Sequence, residues 1–257
     1  MRNGMQAAVE ALYQVFDRYP LLEAVEYCDH CVDLEQVAML HRTPLRRLTA
    51  DELGPLLFNS TTTWGDQAYL NHFMPRLLEL VAAGDMNDWS YPSYLPQRLA
   101  GLWRSGTDDE RRVIDDFVSA WWQQTTSTWP SVCEPRELLD TIAECGQSVK
   151  LYLFAWPVSA GEPAARQLAV LVSDLLVSSR EGNGFWREVD GWLFGRMPAD
   201  VLAAGVCATG EPDVARQLGD VFEQLAHCAE LSRGADMGER IGSSGSLSTA
   251  LNRPQHG

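Results

Sequence analysis

The chain has 257 residues, 35 of them acidic and 20 basic, and a formal net charge of −15 at pH 7. Hydrophobic residues make up 46% of it, a globular composition with enough material for a real core, which excludes an intrinsically disordered chain. The acid excess argues against binding a phosphate backbone, which needs basic patches, and would steer a basic partner in.

Lys150 is the only lysine, so positive charge is carried by arginine. No uninterrupted apolar run is long enough to span a bilayer, and no apolar signal core follows Met1-Arg2-Asn3-Gly4. The expectation is a cytoplasmic protein that engages neither membrane nor nucleic acid. Nine tryptophans supply large buried areas and material for a binding surface.

Met5, Val9, Leu12, Tyr13 and Phe16 recur at helical spacing, and Pro20 stops the first helix, predicted from Met5 to Tyr19. The next helix starts at Asp33, with Gln36 placed to complete a capping box, and ends near His41. Thr49 and Glu52 form a second box. Asn59 to Gly65 is a polar break, and Asp66 caps a helix in which Pro75 predicts a kink or a break. Residues 84–96 read as a loop with Trp89, Tyr91 and Tyr94 interleaved, followed by a helix to Arg104. Thr107 and Glu110 form a third box, opening a helix with two apolar stripes ending in Trp121 and Trp122. Asp108-Asp109-Glu110 and Asp115-Asp116 read as a helix-start cluster and a solvated face. Pro135 fits the first position of a further helix, and helical stretches follow around 185–194 and 198–207.

The second half matches itself. Gly161-Glu-Pro and Gly210-Glu-Pro each precede an Ala-Arg-Gln-Leu element at a helix start. Their spacing is near the roughly 40–47 residues of HEAT or armadillo units. The apolar pattern fades after Cys228, so one helical domain is expected over residues 1–232, with a flexible Gly/Ser-rich tail over 233–257.

Tyr27-Cys28-Asp29-His30-Cys31 is the stretch with most chemistry. Cys28 and Cys31 supply two of the four ligands of a zinc site, with His41 and His72 the better local candidates to complete it. A redox dithiol is the second reading, and a pair of small residues packed in a turn the third. Cys133, Cys145, Cys207 and Cys228 lie in helical patterns and read as reduced, buried thiols. No nucleophile elbow, Walker loop or His-Glu-x-x-His is present. For contact with a partner, Trp64, Trp89, Tyr91 and Tyr94 are the candidate side chains.

Tyr27-Cys-x-x-Cys31, Pro44-Leu-Arg-Arg-Leu-Thr-Ala-Asp-Glu-Leu53, Thr62-Thr-Trp-Gly65 and His72-Phe-Met-Pro-Arg-Leu-Leu-Glu-Leu80 together resemble a bacterial family with no assigned activity. The resemblance covers the first third of the chain. It implies that residues 27–80 form one constellation, with Cys28, Cys31, Trp64 and His72 close in space.

The expectation is therefore an all-α fold, an irregular array of helices with a HEAT- or armadillo-like second half. Its expected function is that of a non-catalytic interaction module, an acidic scaffold that binds a basic partner protein, by analogy with immunity proteins. The alternative is a small metalloprotein or thiol enzyme centred on Cys28 and Cys31.

Overall fold

Local hydrogen bonding starts the helices where their first residues direct. In the computed structural model, which describes residues 2–86, 91–177 and 184–245, Asp33, Thr49 and Thr107 each close a capping box, with Gln36, Glu52 and Glu110 answering three residues on. Asp66 caps Tyr69 N–H at 2.8 Å.

Among the described residues the fold is all-α. The helices are α1 (Arg2–Phe16), α2 (Leu34–Arg42), α3 (Ala50–Asn59), α4 (Gln67–Ala83), α5 (Tyr91–Ser105), α6 (Asp108–Ser127), α7 (Pro135–Glu144), α8 (Lys150–Phe154), α9 (Glu162–Val177), α10 (Gly184–Leu193), α11 (Arg196–Ala208) and α12 (Pro212–Gly245). Two short 3-10 turns lie at Leu45–Arg47 and Val158–Ala160. No described helix is long and apolar enough to cross a membrane.

α6 is the shared wall. It packs on α1, α5 and α7, and on α9 behind. Both its stripes are buried: Val113, Phe117 and Trp121 on one, Ile114, Val118 and Trp122 on the other. Trp122 meets Trp156 edge-on at 5.3 Å and Tyr152 at 6.3 Å, and Trp156 lies 5.4 Å from Trp192. This aromatic chain joins α6 to α8 and α10 across the middle of the molecule.

Behind it, α11 lies between α9 and α12. The self-matching segments resolve into the starts of α9 and α12, and their leucines, Leu168 and Leu218, are both buried. Arg166 of the first segment pairs with its own Glu162 at 2.8 Å and reaches Glu211 of the second at 3.7 Å. This is a local likeness of two helix starts around one central helix, and it does not establish a HEAT-like repeat.

Several boundaries differ from expectation. α1 ends at Phe16, and the chain turns through Tyr19 N–H, which donates to Phe16 C=O at 3.0 Å. α4 runs through Pro75 without a break. α5 begins at Tyr91, inside the expected loop. α12 continues to Gly245, past the expected end of the helical region at 232. The rest of the expected tail, 246–257, lies outside the described residues.

Glu110 keeps the capping role read from sequence and is buried besides. It is 1% exposed. Its carboxylate accepts from Tyr19 O–H at 2.7 Å and from Thr107 N–H at 2.7 Å, with Arg18 3.7 Å away. Burial pushes its pKa up, but the Tyr19 hydroxyl, the Thr107 donors and Arg18 outweigh burial and hold it below the ordinary 4.5. A depressed carboxyl contributes stability above its unfolded pKa and loses it as pH falls through the folded one. Glu110→Gln is therefore expected to cost about 1–3 kcal/mol near pH 7. Urea midpoints of wild type and variant should converge as pH falls through the lowered Glu110 pKa; a gap that ignores pH would leave the carboxylate charge without a role.

Candidate functional site

The Cys-x-x-Cys segment is anchored before it is chemical. Cys28 N–H donates to Thr63 C=O and Gly65 N–H to Glu26 C=O, both at 2.8 Å, around an isolated antiparallel bridge between Tyr27 and Trp64. The partner segment comes from the polar break after α3, where Asn59 C=O accepts from Thr63 and Trp64 N–H at 3.0 and 3.1 Å. Gly65 makes that turn with φ +65°, and a Cβ there would sit 2.6 Å from Tyr69 Cδ1, so only glycine fits. From this anchor the chain turns sharply. Cys31 and Val32 N–H both donate to Cys28 C=O at 3.0 Å, and Asp33 then caps α2.

The turn differentiates the two thiols. Cys28 is held below the ordinary thiol pKa, first by the main-chain N–H of His30, then by the Cys31 thiol and the Cys31 N–H, against burial and Asp29. Cys31 is pushed up, chiefly because it donates its proton to Cys28 Sγ, with burial adding to this and Thr63 opposing it. Cys28 is thus the readier thiolate and Cys31 the proton holder. Cys31 is exposed and Cys28 partly so. The ligand atoms of Cys28, Asp29 and His30 all lie within 4.8 Å of one another. His30 Nδ1 stands 2.9 Å from Asp29 Oδ1, and both side chains are open to solvent.

The other predicted ligands are engaged elsewhere. His41 Nε2 faces Tyr69 O–H at 3.2 Å. His72 Nδ1 lies 2.8 Å from Tyr19 C=O, which only accepts, so Nδ1 carries a proton. Neither belongs to the donor cluster, which is drawn from residues 28–30. His30, between the two cysteines in sequence, does belong to it.

Trp64 is 1% exposed, so it is a wall behind the turn and not a partner-contacting surface. Trp89 lies outside the described residues; Tyr91 and Tyr94 lie on the first turn of α5. Of the four cysteines expected buried, Cys133 and Cys145 are, and burial raises the Cys145 thiol to about 12. Cys228 is half-buried and Cys207, at the end of α11, is exposed.

A groove not anticipated from sequence opens between the end of α1, the Leu45–Arg47 turn and α4. Its volume is about 740 Å³, and its walls include Tyr13, Asp17, Tyr19, Arg46 and His72. The signal for it was the three-residue spacing of Tyr13, Phe16 and Tyr19, which carries an aromatic row past the helix end. No family model matches the chain, and neither a curated protein nor a solved structure is significantly similar to it.

Proposed function

We propose that this chain is a metal-binding protein that takes one thiophilic divalent cation, with zinc best suited to its donors, at the Cys28–Cys31 turn. The observation that carries the reading is the thiol pair itself. The ligand atoms of Cys28, Asp29 and His30 lie within 4.8 Å of one another, and the turn that bonds Cys31 N–H to Cys28 C=O at 3.0 Å keeps the second cysteine beside them. Hydrogen bonds from main-chain N–H groups favour the thiolate, which is the form a metal takes. Zinc accepts thiolate, imidazole and carboxylate together. Cys28 and Cys31 would hold it, His30 or Asp29 would be the third ligand, and a water or a partner's side chain the fourth. Binding displaces the proton that Cys31 now shares, so uptake strengthens as pH rises.

Cobalt(II) is the test, because thiolate ligation gives an intense charge-transfer band. One cobalt per chain is expected, with zinc displacing it. Cys28→Ser and Cys31→Ser should each weaken uptake by tenfold or more, on the order of a lost ligand contact. His41→Ala and His72→Ala should leave it unchanged. No uptake, with Cys28 and Cys31 instead cycling reversibly to a disulfide, would replace this reading by the redox dithiol.

A second reading, a non-catalytic scaffold for a basic partner protein, is favoured by the net charge of −15 and by the groove beside α1.

A further inference from the structure

The two cysteines of the turn are placed to bond to each other as well as to a cation. Cys31 N–H donates to Cys28 C=O at 3.0 Å and so closes a four-residue turn. Such a turn holds its end Cα atoms within about 7 Å, and a disulfide spans roughly 4.4–6.8 Å between Cα atoms. Both thiols are free. The bonds that anchor the turn use no sulfur: Cys28 N–H donates to Thr63 C=O at 2.8 Å, and Asp33 caps α2 on the other side. A bond between the sulfurs therefore breaks none of these anchors.

Access separates this pair from the other thiols. Cys31 is exposed and Cys28 half-buried, and the Asp29 and His30 side chains between them are 86% and 90% exposed. Cys133 and Cys145 are buried, each donating its S–H to a main-chain carbonyl, of Glu134 and of Pro96. Cys207 is exposed but lies on α11, outside the turn. A structural zinc site closes four protein ligands around its ion. Here the ligands come from one open turn, so the sulfurs that hold the ion stay within reach of a small oxidant.

We propose that the Cys28–Cys31 site is redox-gated, releasing its cation when a peroxide joins the two sulfurs. The gate rests on the metal-binding reading and adds its regulation. The exposed Cys31 thiolate attacks a peroxide oxygen; the O–O bond breaks, hydroxide leaves and Cys31 becomes a sulfenic acid. The Cys28 thiolate then attacks the Cys31 sulfur; the S–S bond forms, and the S–O bond breaks with loss of a second hydroxide. The two thiolates lose two electrons and the peroxide gains them. The cation keeps its charge and departs, because the disulfide sulfurs no longer carry the negative charge that held it. A dithiol reductant returns the two electrons and restores the site.

The test treats the zinc-loaded full chain with a small molar excess of hydrogen peroxide and follows release with a chromogenic zinc chelator. Zinc should appear in step with the loss of about two thiols per chain. Peptide mapping should place the new bond between Cys28 and Cys31, and dithiothreitol, with no chelator present, should return the metal to the protein. Cys207→Ser should change the release rate by less than about twofold, since that thiol has no part in the step. Zinc that stays bound through the treatment, or that leaves with no bond between the two sulfurs, overturns the gate and leaves the metal reading standing. If the chain takes up no zinc before peroxide is added, the metal reading and the gate fail together.

Discussion

Trp122→Ala is expected to remove about 3–5 kcal/mol of stability, enough to lower Tm by roughly 6–20 °C for a chain of this size. The indole is fully buried and forms one end of the Trp122–Trp156–Trp192 chain. Truncation opens a cavity between α6, α8 and α10, in a position where the neighbours are themselves large rings that cannot collapse into it. Trp156 is also fixed, since its Nε1–H donates to Ala164 C=O at 3.2 Å. The control is Trp129→Ala. That ring is 41% exposed, with Arg166 5.6 Å from its centroid, and its loss should cost less than about 1 kcal/mol. Thermal unfolding of the two variants side by side checks the pair. Equal shifts would mean that the aromatic chain contributes area alone.

Gly205→Ala and Gly191→Ala are expected to move stability in opposite directions. A Cβ on Gly205 would lie 2.1 Å from Ala165 Cβ and 3.2 Å from Leu218 Cδ1, so α11 must move off α9 or α12 to admit it. Overpacking of that kind costs about 1–3 kcal/mol, more than the helix propensity that alanine returns. Gly191 sits in α10 with nothing within 4 Å of the added atom, so there the propensity gain, about 0.5–1 kcal/mol, should appear as stabilisation. The mechanism has its own check. Ala165→Gly in the Gly205→Ala background removes the clashing methyl and should recover part of the loss, as a double-mutant coupling. Urea midpoints supply all four numbers, and additivity of the Ala165 and Gly205 changes would refute the contact.

The contrast between these glycines shows what a sequence holds. Nothing in the residues around 205 marks it, because its partner is 40 positions earlier and on another helix. The capping boxes at Asp33, Thr49 and Thr107 were legible because donor and acceptor are three residues apart. The apolar stripes of α6 were legible for the same reason. Glu110 was half-legible: its capping role is local, but its bond to Tyr19 spans 91 positions, and that bond makes it a buried charge. His41 and His72 were read as ligands because residue type and proximity in sequence are visible, while hydrogen bonds to Tyr69 and to the Tyr19 carbonyl are not. Trp64 was read as a partner contact, standing as it does in a polar break. Its neighbours there spend their polarity on Asn59 and on the bridge to Tyr27, leaving the indole facing inward.

The Cys28–Cys31 turn holds its candidate ligands within four consecutive residues. A cation there closes a loop of minimal length, and loop-closure entropy scales with the length closed. The unfolded chain carries the same thiols at the same spacing and competes for the same ion, so occupancy does little for the folding equilibrium. Such an ion would be a passenger on the helices and not a rivet between them. Whatever free energy the site gains is left for exchange, to be spent on the identity of the cation and of the group that completes its coordination.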